Sequence, residues 1–359
     1  MPSERDPSLL ASGVSRQPTM SDVAQRAGVS RQLVSMVMRG LPGPSEASQK
    51  IILDAAAALD FRPNASARLL RQKRTRLIGV MIAAVNVFEL RVVERLLERA
   101  VEAGFHVVVA PMSALRATDV VISELLEQRV EAIACYNPDP ASPALRRALD
   151  TMPVVWMGER SGDPRADAVR TDDDTGLQLI VEHLVALGHR DIAYAGGFQG
   201  VEPRRGFDAG GATGVGPDRA DAYRRAMEAA GLGSCIDVLD VGFGEESGAE
   251  AARRLLARDR LPTAVIGSSD QCGAGLRAVF AQAGVDVPGA VSVTGYDDSD
   301  VAQLSFNSLT TVRQDVELTV DATLDSLMRR LADPSLTPRD VPTTATLIVR
   351  ESTGPARSA

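Results

Sequence analysis

Cysteine and histidine are scarce in this sequence of 359 residues, which contains three of each. An odd number of widely spaced cysteines offers neither the even count of a disulfide framework nor the paired spacing of a zinc site. No Gly-x-Ser-x-Gly motif is present, and the histidines fall in or beside predicted strands and helices. We therefore expect no metal, no cofactor and no enzymatic activity, with reduced thiols at Cys135, Cys235 and Cys272.

Long apolar runs are also missing. No stretch approaches the roughly 18 uninterrupted apolar residues of a membrane-spanning helix, and residues 1–17 lack the apolar core of a signal peptide. We therefore expect a cytoplasmic protein without a membrane partner, whose first 17 residues form a disordered tail. Hydrophobic residues make up 45% of the chain, so it can bury at least one large core, and its length of 359 residues suggests two or three domains.

Basic residues are outnumbered by acidic ones in the whole chain but not near its beginning. The net charge is −8, yet residues 16–76 hold 11 Lys and Arg against 4 Asp and Glu, which leaves −15 for the remainder. A basic head on an acidic body suits a module that contacts nucleic acid while its partner domain is repelled by phosphate. Chance clustering on a solvated helical face is the alternative interpretation of the charge alone.

Residues 18–62 predict a small helical DNA-binding domain, with a generic three-helix bundle as the alternative. Thr19 can cap a first helix, and Ser30 can cap a second one that follows a glycine turn. The second helix of such a helix-turn-helix enters the major groove. Arg31 and Gln32 are the expected base readers, because Arg pairs with guanine and Gln with adenine. The expected DNA contacts of this domain are Thr19, Ser30, Arg31, Gln32, Ser35 and Arg39.

The runs MSDVAQRAGVSRQLVS (residues 20–35) and FRPNASARLL (residues 61–70) resemble the head of the lactose/galactose repressor (LacI/GalR) family. The resemblance implies that residues 63–75 form a hinge helix and linker, which orders on the operator and inserts Leu70 into the minor groove. An apolar wedge of this kind kinks DNA by unstacking a base step. An ordinary basic linker is the alternative. The expected hinge contacts are Asn64, Ala67, Arg68, Leu70 and Arg71.

Met36 departs from the family pattern, which has Arg directly after the serine that is Ser35 here. A contact to a base or to the DNA backbone is therefore expected to be lost. Arg39 lies one helical turn beyond Met36, and we expect it to reach phosphate instead.

Apolar runs alternate with helical patterns in the rest of the chain. Buried strands are predicted near residues 77–83, 105–110, 133–136, 154–157, 192–195, 264–267 and 291–295. Helices are predicted near residues 89–103, 175–187, 219–230, 247–257 and 273–283. This alternation indicates doubly wound parallel sheets, which bind ligands at the carboxyl ends of their strands.

The body also resembles the LacI/GalR family, in VEHLVALGHR (181–190), SDQ (269–271), VTGYDD (293–298) and LTTVRQD (309–315). The resemblance implies a small all-α helix-turn-helix head plus a hinge helix, joined to a two-lobed α/β core of the periplasmic-binding-protein type with doubly wound parallel sheets. We expect this core over residues 76–350. Its first lobe is expected at 76–171 and 304–333, its second lobe at 172–303 and 334–350, and residues 351–359 as a tail.

The same resemblance implies a small-molecule effector between the lobes. Arg219 and Asp297 match a guanidinium and a carboxylate that clamp a polyhydroxylated ligand, since ionised partners make the stronger hydrogen bonds. Asp270 has a competing role as a helix cap, and the aromatic rings of the Gly-rich segment 196–217 are either a wall of the cleft or anchors of a flap. The expected effector contacts are Phe88, Phe198, Phe207, Arg219, Tyr223, Ser269, Asp270, Asp297 and Gln314.

These patterns together predict a transcriptional regulator, and we expect it to be a repressor. Its affinity for double-stranded, near-palindromic operator DNA is expected to change when a sugar or related metabolite binds. A sugar-processing enzyme and an exported solute-binding protein are the competing classes, and neither explains the basic head. No leucine heptads follow residue 347, so we expect a homodimer and not a tetramer.

Overall fold

The computed structural model describes residues 18–38, 41–61, 74–82, 87–113, 116–197 and 215–357, apart from the side chains of 215–218. The chain divides into two compact units, Met1–Thr75 and Arg76–Ala359, and each is described by itself. In the described part of the chain, no helix is both long enough and apolar enough to cross a membrane.

The first unit contains three short helices, α1 (Met20–Ala27), α2 (Arg31–Met38) and α3 (Glu46–Ala58). Thr19 caps α1 in a reciprocal box, in which its side chain and that of Asp22 each accept from the other's backbone N–H. Gly28 ends α1 with φ at 65°, a left-handed conformation that glycine adopts without a Cβ penalty. The turn into α2 is thereby set by local chemistry.

The apolar sides of these helices form a small core. Val23, Val34 and Ile52, one from each helix, are fully buried. Burying a large aliphatic side chain contributes about 1.5–3 kcal/mol, and a domain of this size buries few of them. The hydrogen bonds that cap α1 and α2 are therefore expected to contribute a sizeable part of the free energy that holds α2 in its orientation.

Strands and helices alternate through the second unit. In chain order the elements are β1 (Leu77–Ile82), α4 (Val87–Glu102), β2 (His106–Pro111), α5 (Thr118–Glu127), β3 (Ala132–Tyr136), α6 (Pro143–Thr151), β4 (Val154–Met157), β5 (Asp167–Thr171), α7 (Asp173–Ala186), β6 (Ile192–Ala195), α8 (Val215–Ala229), β7 (Asp237–Leu239), α9 (Glu245–Leu256), β8 (Ala264–Gly267), α10 (Asp270–Gln282), β9 (Ser292–Thr294), α11 (Asp300–Gln303), β10 (Thr311–Gln314), α12 (Val316–Ala332), β11 (Asp340–Thr343) and β12 (Ala345–Ile348). The helices begin two to four residues before the predicted starts, because capping residues precede the apolar pattern.

The first lobe is a parallel sheet of strand order β11-β5-β4-β3-β1-β2. One face is covered by α4 and α12, which bury Leu96 and Leu327 among the side chains of the sheet. The other face is covered by α5 and α6, which bury Leu125 and Leu145. Helices on both faces of a parallel sheet make this lobe doubly wound.

The second lobe is a parallel sheet of order β7-β6-β8-β9, with the antiparallel pair β10 and β12 beside it. Bridges join Thr294 to Thr310 and Asp297 to Arg313, so β10 continues this sheet beyond β9. Helices α7 and α8 cover one face, and α9 and α10 cover the other.

Two expected crossings between the lobes were misplaced. The first lobe was expected to resume near residue 304, but β10 still belongs to the second lobe, and the crossing follows Gln314. The second lobe was expected to resume near residue 334, but β11 pairs with β5 in the first lobe, so the crossing follows Thr343. Both errors arise because strand pairing with distant residues leaves no local mark on the sequence.

Residues 351–357 are not a tail. The Ser352 backbone N–H donates to the Ser308 carbonyl, and the Ser352 carbonyl accepts from the Val293 N–H. Further along, the Ala356 N–H donates to the Leu187 carbonyl at the end of α7. The segment is therefore a packed part of the second lobe.

Candidate DNA-reading face and effector cleft

The outer face of α2 carries the expected base readers. Arg31 and Gln32 are exposed in its first turn, and Ser35 and Met36 follow one turn later, partly buried. Residues four apart lie on the same side of a helix, so these four side chains form one surface patch. The helix contains no acidic residue that phosphate would have to approach.

Thr19 and Ser30 position this face. The Thr19 hydroxyl donates to the Asp22 carboxylate (Oγ1 to Oδ2, 2.7 Å) and accepts from the Asp22 backbone N–H. The Ser30 hydroxyl accepts from the Leu33 backbone N–H at 3.2 Å. Both residues are helix caps in this structure, and a further contact of either one with phosphate stays a prediction.

Several expected contacts lie outside the described residues. For the DNA these are Arg39, Asn64, Ala67, Arg68, Leu70 and Arg71, and for the effector they are Phe198 and Phe207. Their roles stay predictions.

A buried cation occupies the junction of the two lobes. Arg219, in α8, is 4% exposed, and it donates from Nε to Asp173 Oδ1 at 3.1 Å and from Nη1 to the Ser268 carbonyl at 2.8 Å. Asp297 Oδ1 lies 3.7 Å from the same Nη1. The Tyr296 ring centroid lies 3.9 Å from Cζ of the guanidinium, which is a cation–π contact. We call these five residues the Arg219 cluster.

Asp297 connects the Arg219 cluster to the first lobe. Its carboxylate accepts from Gln314 Nε2, and Gln314 Oε1 accepts from the Thr171 hydroxyl at the end of β5. Burial raises the pKa of Asp297 to about 8, and the charge of Arg219 opposes only part of that shift. The φ of Asp297 is 117°, a sparsely populated conformation for a residue with a Cβ. Strain of this kind clusters at ligand sites.

The topology explains why these residues meet. Thr171 ends β5, Ser268 directly follows β8, and Tyr296 follows β9 by two residues, so each stands at the carboxyl edge of a parallel sheet. Gly176 lets Tyr296 lie against α7, because a Cβ there would collide with the Tyr296 hydroxyl, which donates to Asp173 at 2.7 Å. The carboxyl edge is where open α/β sheets bind ligands.

One open cavity of about 410 Å³ borders the Arg219 cluster, and a second of the same volume borders Gln314. One includes Asp173 and lies between residues of both lobes, namely Arg160, Arg170, Asp174, Asp221 and Arg225. The other includes Gln314 and lies beside α4 and the start of α12. Each volume falls in the range of small-molecule sites. Arg91 of α4 donates to the Asp298 carbonyl at 3.1 Å, which is a further contact between the lobes.

Tyr223 does not belong to the site. Its ring is fully buried and stacked on Tyr194, with centroids 5.3 Å apart. Its hydroxyl donates to the Ile192 carbonyl and accepts from the Asp237 N–H, at the first residues of β6 and β7. The hydroxyl therefore lies at the amino edge of the sheet, away from the cluster. The effector role expected for Tyr223 was wrong.

Ser269 and Asp270 bind other parts of the protein. The Ser269 side chain caps α10, so Asp270 is not the cap. The Asp270 carboxylate is buried and accepts from the Ser299 N–H, the Ser299 hydroxyl and the Thr311 hydroxyl. Burial raises its pKa to about 6, against the effect of these hydrogen bonds. The structure thus gives both residues positioning roles in place of the expected ligand roles.

Phe88 is a core residue, 5% exposed and packed among the side chains between α4 and the first sheet. Gln314, in contrast, donates to Asp297 of the Arg219 cluster, and its contact with the effector stays a prediction. Sequence reasoning missed four members of this region, Thr171, Asp173, Ser268 and Tyr296. Asp173 stands in a run of three aspartates at a helix start, which favours a capping interpretation, and Tyr296 lies inside the motif at 293–298 without being singled out.

The DNA-binding head and the body with its cleft each match a known family of domains. Residues 19–64 match the model of bacterial regulatory proteins of the lacI family, and residues 181–353 match a periplasmic binding protein-like domain. The HTH-type transcriptional regulator GalR of Escherichia coli (strain K12) is 30% identical over 321 residues, which are 88% of this chain and 89% of GalR. The chain belongs to the LacI family.

Solved structures of LacI-family regulators share the fold. The lac repressor dimer bound to operator and the anti-inducer ONPF matches with a TM-score of 0.80 and 26% identity, over 94% of this chain and 100% of that one. A complex of the transcriptional regulator CelR with cellobiose matches with a TM-score of 0.66 and 28% identity, over 93% of this chain and 99% of that one.

Membership fixes the class of function. As a LacI-family protein, this chain is a DNA-binding transcriptional regulator and not an enzyme. The family and the fold class expected from the sequence are confirmed.

Proposed function

We propose that this chain is a transcriptional repressor whose hold on operator DNA changes when a small hydroxylated effector binds between its lobes. It acts as a homodimer on a near-palindromic operator and works in the cytoplasm. The Arg219 cluster is the observation that carries the effector part of the proposal, because it brings a guanidinium and two carboxylates together where the chain crosses between lobes.

The DNA part rests on the outer face of α2. Arg31 and Gln32 are exposed at the start of a capped helix, which is the position from which a helix-turn-helix reads base edges. A two-fold dimer places two such helices in successive major grooves, so the half-sites repeat the same bases in inverted order. Leu70 and its neighbours are proposed to contact the centre of the operator.

The effector part rests on polar groups that the two lobes share. Carboxylates accept from ligand hydroxyls, and a guanidinium donates to ring or hydroxyl oxygens. In the described structure these groups bind one another, through Gln314 between Thr171 and Asp297. A ligand that replaces those bonds changes the relative free energy of the lobe arrangements, which is the coupling that an allosteric repressor needs.

The relatives support the same class of effector. The structure of the transcriptional regulator CelR contains cellobiose, a carbohydrate. The carboxylates and guanidinium of the Arg219 cluster are the groups that bind polyhydroxylated ligands.

The test begins by selecting bound DNA from a random pool with the full chain. The selected operator is then titrated with the protein in a gel shift, in the presence of individual sugars and other small metabolites. We expect a near-palindromic sequence and at least one compound that changes the dissociation constant. If no compound does so, the effector part fails while the DNA part stands.

A further inference from the structure

Met36 is an apolar side chain on the face of α2 that carries the proposed base readers. The core of the head takes four hydrophobic residues from α2, namely Leu33, Val34, Val37 and Met38. Met36 does not belong to that core among the described residues of the head. It lies four residues beyond Gln32, which is about 40° around the helix axis. Met36 is therefore directed away from the core, to the same side of α2 as Gln32.

The loop after α2 holds this side chain at the surface. Met36 is partly buried, and a Cβ placed on Gly43 would lie 3.3 Å from its terminal methyl group, Cε. The Leu41 backbone N–H donates to the Met36 carbonyl at 3.1 Å, so the described part of the loop folds back against the end of the helix. The Met36 thioether thus rests beside the loop backbone, and part of its apolar surface stays open to solvent.

The major groove of DNA offers one kind of apolar group to such a side chain. The base edges there carry hydrogen-bond donors and acceptors, and thymine adds the methyl group on C5. Methionine has no donor, and its sulfur is a weak acceptor. Against guanine, Met36 would cover two acceptors without bonding to them, which is unfavourable, whereas against thymine it removes a methyl group from water.

We infer that Met36 reads thymine, through contact of its side chain with the C5 methyl group, at one position in each half-site. The helix rises about 1.5 Å per residue, so Met36 lies about 6 Å along α2 from Gln32. That length corresponds to about two base-pair steps of about 3.4 Å. The thymine is therefore expected within about two base pairs of the base that Gln32 contacts. This inference rests on the proposed function, because it concerns the same DNA-reading face.

The test removes one methyl group at a time from the DNA. Selection from a random pool by the full chain supplies the operator, and each of its thymines is then replaced by uracil, which lacks the methyl group and keeps the hydrogen-bonding edge. For one position, replaced in both half-sites, we expect the dissociation constant in a gel shift to rise about tenfold, since two buried methyl groups are lost. An operator in which every thymine tolerates uracil would overturn the inference.

Variants of Met36 connect this effect to the residue. Met36→Gln keeps the unbranched shape but is polar, and it should bind the thymine and uracil operators within about twofold of each other. Met36→Leu stays apolar and should keep most of the discrimination. Leu53→Ala, at a position of α3 that is 52% exposed, is the matched control for loss of an exposed apolar side chain and should discriminate as the parent chain does. If Met36→Gln also discriminates as strongly as the parent chain, Met36 does not make the contact and the inference fails.

A structural role for Met36 gives a different result. If Met36 only supports the loop at Gly43, or only touches the sugar-phosphate backbone, Met36→Gln weakens binding to the thymine and uracil operators by the same factor. That outcome overturns the inference. Reading of thymine instead makes the loss specific to the thymine operator, and it leaves the slope of the logarithm of affinity against the logarithm of salt concentration unchanged, because a methyl contact releases no counterion.

Selection of DNA also separates this inference from the proposed function. A full chain that selects no DNA sequence at all overturns the proposed function itself. A selected operator in which the thymine sensitive to uracil lies more than about two base pairs from the base that changes in Gln32→Ala overturns this inference alone, and the proposed function stands.

Discussion

The two functional regions of this protein are built in opposite ways. On α2 the residues proposed to read DNA are exposed, and the caps of α1 and α2 bond to backbone groups three residues away. In the Arg219 cluster every member is buried, and the residues that bond to Arg219 come from distant parts of the chain. The side chains of the first region are exposed and free to contact DNA. Those of the second region already make ion pairs and hydrogen bonds with one another.

The difference predicts how each region responds to substitution. An exposed reader can be removed at little cost to stability, since water replaces the lost partner. A member of the buried cluster cannot, because removal leaves an opposite charge without compensation. Substitution of an exposed residue of the head should therefore weaken DNA binding without lowering stability. Substitution within the Arg219 cluster should lower both the stability of the body and its response to effector.

The largest effect is expected for Arg219→Met. The substitution leaves the Asp173 carboxylate buried without its cation, which should lower the free energy of unfolding of the body by about 3–5 kcal/mol. Urea denaturation of the full chain measures this change. The effector response should be lost at the same time.

Arg224→Met is the matched control for that prediction. Arg224 lies in the same helix, is 44% exposed and pairs with Asp221 on the surface. Surface pairs contribute little, so stability should hardly change. Equal decreases in the free energy of unfolding of the two variants would contradict the claim that the buried ion pairs of Arg219 stabilise the body more than a surface pair does.

Arg31→Ala is expected to act on DNA binding alone. Loss of a bidentate contact to a base costs about 1–3 kcal/mol of operator affinity, while the midpoint of denaturation should stay unchanged. A gel shift at fixed salt measures the affinity. Arg146→Ala, an exposed position in α6 of the body, is the control and should bind operator normally. A large loss of stability in Arg31→Ala would break the contrast between the regions.

The pH dependence of stability should depend on Asp297. Its pKa is about 8 in the folded chain and 3.8 ordinarily, so between about pH 4 and pH 8 the unfolded chain has lost a proton that the folded chain keeps. The free energy of unfolding therefore falls as pH rises through this window, by up to about 1.4 kcal/mol per pH unit for one proton. Below pH 6 the raised pKa of Asp270 adds to the slope in the same direction.

Denaturation of Asp297→Asn at a series of pH values tests this dependence. Between pH 6 and pH 8 the variant should show a flatter profile than the parent chain. Asp300→Asn, at the exposed start of α11, is the control and should keep the slope. Equal slopes in parent and Asp297→Asn would rule out a proton held at Asp297.

The smallest effect is expected at the cap of α1. Thr19→Ala removes the half of the capping box that the Thr19 hydroxyl makes and should destabilise the head by about 1 kcal/mol, while Thr19→Ser should restore it. Thermal unfolding followed by circular dichroism measures the change. If Thr19→Ala weakens operator binding with no loss of helix stability, Thr19 contacts the DNA directly.

In the described part of the head, the helix ends could be predicted from the sequence. Thr19, Gly28 and Ser30 act through hydrogen bonds and backbone angles that involve near neighbours, so their residue types already indicate the helix ends. The alternation of strands and helices in the body was visible for a similar reason, because burial imposes a regular pattern of apolar residues.

The cleft was only partly predictable. Arg219, Asp297 and Gln314 followed from the family resemblance, but Tyr223, four residues from Arg219, faces the core instead of the cluster. Asp173 was missed because its role depends on a helix that lies far away in the sequence. The two late lobe crossings were misplaced for the same reason, since the partners of β10 and β11 lie in other segments.

Selection of DNA from a random pool by three proteins tests the central comparison most directly. The parent chain and Arg219→Met, at a temperature where both are folded, should select the same near-palindromic sequence. Arg31→Ala should lose its preference at one base in each half-site. An unchanged sequence from Arg31→Ala, or a changed one from Arg219→Met, would contradict the assignment of DNA reading to the exposed face of α2.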